Sequence, residues 1–236
     1  MATMKSTFAR LQGVDPSGLE ALATRLRKIA FSINSEEQVL GVDVGAARLT
    51  VEVAVRRERD VPVFDELKRT LGTEKRYEYR RLLFSLDAKA GITSTPGARR
   101  DLALLTELLK RAGAGGAELS ELKVDVLAWG RALLKMYDTA QLGQLVLDRF
   151  YAEPKLIGRF SAKSVDNRID FGALQELAGN LRSLRFSFFY YDARRTVEAR
   201  ADGVLSVGSS DDEELEHFYA EQSALLLKHA GAAEKE

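Results

Sequence analysis

The stretch DPSGLEALATRLRKIAFSI, residues 15–33, decides how the chain is read, because DFGALQELAGNLRSLRFSF, residues 170–188, matches it at a constant offset of 155 positions. Eight of the nineteen aligned positions are identical: Asp15/Asp170, Leu19/Leu174, Leu22/Leu177, Ala23/Ala178, Leu26/Leu181, Arg27/Arg182, Phe31/Phe186 and Ser32/Ser187. Each stretch opens on an aspartate suited to cap free backbone N–H groups, and Pro16 stands where a first helical residue needs no N–H. Leu19, Leu22, Leu26 and Ile29 follow at three- and four-residue spacing, which makes one apolar stripe of a helix. The reading is an internal duplication, with this helix in both halves.

Working outward, residues 4–12 predict a first strand, and residues 31–34, 39–44 and 48–55 predict three more. The cleanest is LTVEVAV, where Leu49, Val51, Val53 and Val55 alternate with Thr50, Glu52 and Ala54. Pro62 predicts the start of a short helix closed by Gly72, residues 76–87 a strand, and Thr95-Pro96 the capped start of a helix lined by Leu102, Leu105, Leu108 and Leu109. Gly113-Ala114-Gly115-Gly116 breaks the chain. Beyond it Leu119, Leu122, Val126, Trp129, Leu133 and Met136 fall at alternating spacings of three and four, which predicts a long helix, and Asp138-Thr139 predicts a second one running to Phe150. The last part reads as a strand at 156–162, the Asp170 helix, an aromatic strand at 185–191, a hairpin turning at Asp202-Gly203, and a closing helix opened by Ser210-Asp211-Asp212-Glu213.

The expected fold is α+β: two related two-layer units, each an antiparallel sheet with helices, joined by a central helical segment. Their boundaries are 1–112 and 155–236 with a connector at 113–154, the alternative being one compact pseudo-symmetric domain. The element order is similar to a ferredoxin-like βαββαβ unit or to the βαβββα saddle of TATA-binding proteins.

With 236 residues, 45% hydrophobic and 30% charged, the composition is that of a globular protein with a core. The absence of cysteine excludes disulfides, thiolate zinc sites and cysteine nucleophiles, and with no signal-like or membrane-length apolar run the expected location is the cytoplasm. Thirty-five basic residues balance 35 acidic ones, so there is no global attraction to nucleic acid or an anionic membrane. The distribution is uneven: residues 48–111 carry 15 basic against 10 acidic, and residues 209–236 carry 2 against 8.

The aromatic strand Arg185-Phe186-Ser187-Phe188-Phe189-Tyr190-Tyr191 carries the candidate site. Phe186 and Phe188 match Phe31 and Ile33 of the first stretch and read as core, whereas Phe189 and Tyr191 match the polar Asn34 and Glu36. Exposed aromatics beside Arg185, Arg194 and Arg195 suit stacking on a base with neutralisation of phosphate, or a protein-binding surface. GVDVGAARLTVEVAV, residues 41–55, resembles the first phosphate-binding hairpin of the actin and Hsp70 type ATPases in Asp43 and Gly45, but Ala46-Ala47 replace the hydroxyls. Val207-Gly208-Ser209-Ser210 leads into a helix start crowded with carboxylates, which repel an anion. Glu213, His217 and Glu221 lie on one helical face and read as a salt-bridged row; His217 and His229 stand twelve residues apart and share nothing.

No catalytic motif is present, and no cofactor or metal site is expected. The expected function is therefore a non-enzymatic binding or adaptor protein acting through an open sheet face or a self-association surface, with a protein partner or a homodimer, Arg185, Phe189, Tyr191, Arg194 and Arg195 supplying the surface. The alternatives are a nucleic-acid binder using the same residues and an enzyme whose site no motif reveals.

Overall fold

The structure is a computed structural model, and it describes residues 2–29, 37–65, 70–153, 156–163, 174–211 and 213–231. In chain order come strand β1 (Ala2–Gln12), helix α1 (Leu19–Arg27), strands β2 (Glu37–Val44), β3 (Arg48–Asp65), β4 (Thr70–Asp87) and β5 (Ile92–Thr95), and helix α2 (Arg99–Arg111). There follow β6 (Glu118–Glu121), α3 (Val126–Met136), β7 (Gln141–Glu153), β8 (Leu156–Lys163), β9 (Leu181–Tyr190), β10 (Ala193–Arg200), β11 (Val204–Ser209) and α4 (Leu215–Lys228). The protein is α+β, with mostly antiparallel pairing. Its contacts fall into two units, Met1–Arg10 with Ser120–Glu236, and Leu11–Leu119.

The first unit is a large antiparallel sheet in the order β8-β7-β9-β10-β11-β1. Alternation sets its two faces. Phe186, Val197 and Val207 stand opposite one another on β9, β10 and β11 and are fully buried, as are Leu184, Ala199 and Leu205 one row along. Helices α3 and α4 cover that face: the Trp129 ring meets Phe186 edge-on at 5.7 Å, and Phe218 meets Phe188 at 5.6 Å. Asp125 starts α3 by accepting from Ala128 N at 2.9 Å.

Helix α4 is also fixed by polar contacts. Tyr190 donates its hydroxyl to Glu221 at 3.0 Å, and Gln222, itself buried, donates to the Tyr137 hydroxyl at 2.9 Å. Burial raises the Tyr137 hydroxyl to about 12, reinforced by the Glu221 carboxylate, and the same two causes raise Tyr190. Because the folded values lie above the ordinary value near 10, the stability these hydroxyls contribute is intact below that pH and is lost as pH rises through the folded values. Thermal melts should therefore fall more steeply between pH 10 and about 12 for the wild type than for Tyr137→Phe/Tyr190→Phe. Parallel curves would mean that the two hydroxyls titrate alike folded and unfolded.

In the second unit β2, β3, β4 and β5 are antiparallel neighbours. Leu49, Val51 and Val53 face Leu86, Phe84 and Leu82 across the register, all buried, and α1 and α2 bring Leu22, Leu26, Leu105 and Leu109 to the core. Asp15 caps the 3-10 turn Pro16–Gly18 that leads into α1, accepting from Ser17 N at 2.9 Å; the bonds from Ser17 lower its pKa. The cap expected from Thr95 is replaced. Helix α2 begins at Arg99, Asp101 accepts from Ala98 N at 2.7 Å, and Arg80 holds the same carboxylate at 2.9 Å.

Four expectations are corrected. The helix expected from Pro62 to Gly72 is instead part of the β3–β4 hairpin, with Pro62 opposite Thr73; among the described residues β3 beyond Val55 has a partner on one side only, which is where a strand accepts proline. The central helical segment is shorter than expected, because 118–121 is β6 and α3 covers only Val126–Met136. The helix expected from Asp138 to Phe150 is strand β7. A register shift between Leu142 and Gln144 puts one extra residue between the buried Leu142 and Leu145, so a bulged strand imitates helical spacing. The repeated helix is matched only in part: residues 174–175 are helical and Ala178–Asn180 form a 3-10 turn. Leu181 and Arg182, matched to Leu26 and Arg27 of α1, stand on β9, because Gly179-Asn180 end the short helical turn where α1 continues through Thr24-Arg25. The strand expected at 31–34 and the start of the second stretch at 170–173 lie outside the described residues.

Candidate functional site

The face of the first unit's sheet opposite α3 and α4 is polar across five strands. Residues opposed in register share a face, so Gln144 on β7, Arg185 on β9, Glu198 on β10, Ser206 on β11 and Lys5 on β1 make one row. Gln141, Ser187, Thr196, Gly208 and Thr3 make the next, and Phe189 opposite Arg194 ends the ladder. Neither Arg185 nor Arg194 has an ion-pair partner among the described residues, and both are exposed.

Two shallow hollows lie on this face and share Ser187 and Arg194. One, of about 350 Å³, is lined by Thr139, Gln141, Ser187, Phe188, Phe189 and Arg194. The other, of about 220 Å³, runs over Gly143, Gln144, Arg185 and Thr196. Thr139 fixes the strand end beside them, its hydroxyl accepting from Phe189 N at 3.2 Å. Phe189 is 61% exposed. The arrangement offers two exposed guanidinium groups without an ion pair among the described residues, one accessible ring, and a row of hydroxyl and amide side chains, which suits an extended anionic ligand lying across the strands.

The structure separates the residues named from sequence. Arg185, Phe189 and Arg194 come together on the open face. Tyr191 lies beyond β9 in the two-residue turn to β10, where Tyr191 and Asp192 have φ of 45° and 61°. It is 75% exposed at the sheet's end, its ring edge-on to Tyr190 at 4.7 Å. A bulky residue at positive φ costs about 1 kcal/mol, and glycine relieves it, so Tyr191→Gly should raise unfolding stability by about 0.5–1 kcal/mol in a urea titration. A loss of stability would place the ring in a structural role.

Arg195 leaves the set altogether. It points to the covered face, 2% exposed, donating to Ser209 Oγ and to the carbonyls of Asp211 at 2.8 Å and Glu213 at 2.5 Å. Its phase with Val197 and Ala199 was the signal in the sequence, since all three alternate against Arg194, Thr196 and Glu198. Gln141, Gln144 and Thr196 were missed, because the residues of β7 join the site only through a pairing no local pattern reveals.

A larger hollow of about 600 Å³ lies at the start of α3 and draws its walls from four separate stretches, including Lys123, Asp125, Asp148, Arg182 and Asp202. Four of its charged side chains, Arg182, Asp148, Asp202 and Asp125, are already engaged. Arg182 bonds Asp148, which raises the Arg182 pKa further; Arg200 bonds Asp202; and Asp125 caps α3. Among the described residues no three His, Asp or Glu side chains form a metal-binding group, and no helix is long and apolar enough to cross a membrane. No protein-family model matches the chain, and no curated protein matches it.

Proposed function

We propose that this is a binding protein that takes an extended acidic segment of a protein partner across the open face of its first sheet. The observation that carries this reading is the pair Arg185 and Arg194, exposed and without an ion pair among the described residues, flanking Ser187 on a face that α3 and α4 do not cover. A protein partner is favoured over a polyanion because 35 basic residues balance 35 acidic ones, so the chain as a whole has no attraction for a long phosphate backbone. A single-stranded nucleic acid is the second reading. It is favoured by one feature, the exposed Phe189 ring opposite Arg194, which suits a stacked base beside its phosphate.

Both readings are tested by fluorescence anisotropy with two labelled probes, a poly-glutamate peptide and an oligothymidylate, at low and physiological salt. Arg185→Ala/Arg194→Ala should weaken the bound probe at least about tenfold, each charge-assisted contact contributing roughly 1 kcal/mol or more. Preference for the peptide supports the first reading and preference for the oligonucleotide the second. Binding of either probe that is indifferent to both arginines would remove the face from the function.

A further inference from the structure

The β3–β4 hairpin outgrows its sheet. Among the described residues, β2 pairs with β3 only as far as Val55, and β5 pairs with β4 only from Ser85 to Asp87. Residues 56–65 and 70–79 therefore form a two-stranded ribbon, paired with each other from Arg56–Tyr79 to Asp65–Thr70. Ten residues of strand extend about 33 Å, and a two-stranded ribbon alone in water is marginal without something to cover a face.

The two faces of the ribbon differ. One carries Arg57–Glu78, Arg59–Arg76 and Val61–Glu74 in register, with Arg59 on Glu78 at 3.3 Å. The other carries Arg56–Tyr79, Glu58–Tyr77, Asp60–Lys75 and Phe64–Leu71, and continues inward to Glu52–Leu83. Five of the nine large hydrophobic side chains exposed among the described residues are on this second face: Phe64 (58%), Leu71 (76%), Tyr77 (57%), Tyr79 (63%) and Leu83 (47%). Such a concentration on one side of a projecting element marks a surface that is covered in use.

Charge identifies what covers it. Interleaved with the apolar side chains are Arg56, Lys75 and Arg81 on one hand and Glu52, Glu58 and Asp60 on the other, so the stripe has no net charge and offers nothing to a polyanion. It complements itself. When two ribbons meet face to face and antiparallel about a two-fold axis through the Glu58–Tyr77 row, Asp60 of each falls opposite Arg56 of the other, Lys75 opposite the Tyr79 ring, Leu71 opposite Leu83, and Tyr77 opposite Tyr77; Glu58, which bonds Lys75 of its own chain, meets its copy, and Phe64 meets Glu52, which bonds Arg81. Five such side chains expose on the order of 500 Å². Two copies thus cover on the order of 1,000 Å², the size at which specific interfaces begin.

We infer that residues 56–65 and 70–79 are a dimerisation arm whose Tyr77–Tyr79 face packs on the same face of a second copy of this chain. The arm lies in the second unit and shares no residue with the face proposed for ligand binding in the first. Sedimentation velocity of the intact chain at micromolar concentration should give twice the 26.1 kDa chain mass. Leu71→Ser/Tyr79→Ser should return it to one chain mass with unchanged circular dichroism, whereas Arg57→Ser on the opposite face should leave the dimer. A charge-swap cycle decides the matter even where the serine variant fails to fold: Asp60→Arg and Arg56→Asp each give monomer, and the two together restore the dimer. A wild type that sediments as a monomer, or a dimer indifferent to Asp60→Arg, would overturn the arm.

Discussion

Gly13→Ala should be among the most damaging single substitutions in the chain, lowering unfolding stability by about 3–4 kcal/mol. Two independent terms add. Gly13 sits at φ +75°, a conformation that costs a residue with a Cβ about 1–2 kcal/mol. The added Cβ would also lie 1.8 Å from the carbonyl oxygen of Gly116, a contact with backbone on both sides that no side-chain rotation relieves. Overpacking of that kind adds about 1–3 kcal/mol. Gly116→Ala is the control. Its Cβ would meet only Gly13 Cα, at 3.9 Å, so the variant should be nearly silent. Urea denaturation of the two variants would show the asymmetry, and equal losses would mean that the close approach is not what Gly13 supplies.

Arg195→Ala should cost the first unit about 2–4 kcal/mol. The buried guanidinium spans from β10 to the segment ahead of α4, where it bonds Ser209 Oγ and the Asp211 and Glu213 carbonyls and lies 5.9 Å from the centre of the Phe218 ring. That segment turns sharply, with Glu214 at φ 57°, so the capping box expected from Ser210 gives way to short turns closed by Ser209 and Asp211 side chains. Removing the guanidinium takes the donor from the Asp211 and Glu213 carbonyls and opens a space beside Phe218. Arg195→Lys has one donor centre in place of a fork and should recover only part of the loss. Arg194→Ala, one residue away on the open face, should change stability by less than about 0.5 kcal/mol. Hydrogen exchange should show the Arg195→Ala loss concentrated at 209–215, and an unchanged pattern there would mean that the guanidinium does not hold the start of α4.

These adjacent arginines show where the sequence was legible. Local alternation separates them, since Arg195 shares its phase with Val197 and Ala199, and the same reasoning placed the α1 and α2 stripes and the β3 core face. The turn at Asp202-Gly203 was also legible, with Gly203 at φ +79°. What misled was spacing that two structures share. Leu142 and Leu145 are three apart because of a bulge, and Leu177, Leu181 and Leu184 sit at helical distances although Gly179-Asn180 turn the chain into β9. Pro62 suits a helix start and an unpaired strand edge equally. The open face was half legible: β9 and β10 are joined by a two-residue turn, so Phe189 and Arg194 could be paired from their order, but β7 lies between them and β8 only through long-range pairing.

The most direct test of the open face is hydroxyl-radical footprinting of the wild-type chain with and without the probe it binds. Phe189 reports on that face, and Tyr77 and Tyr79 on the ribbon of the other unit serve as the internal reference within the same sample. Binding across β7, β9 and β10 should protect Phe189 several-fold and leave Tyr77 and Tyr79 oxidised as before. Full probe occupancy with Phe189 still oxidised at its free rate would contradict a function carried by this face.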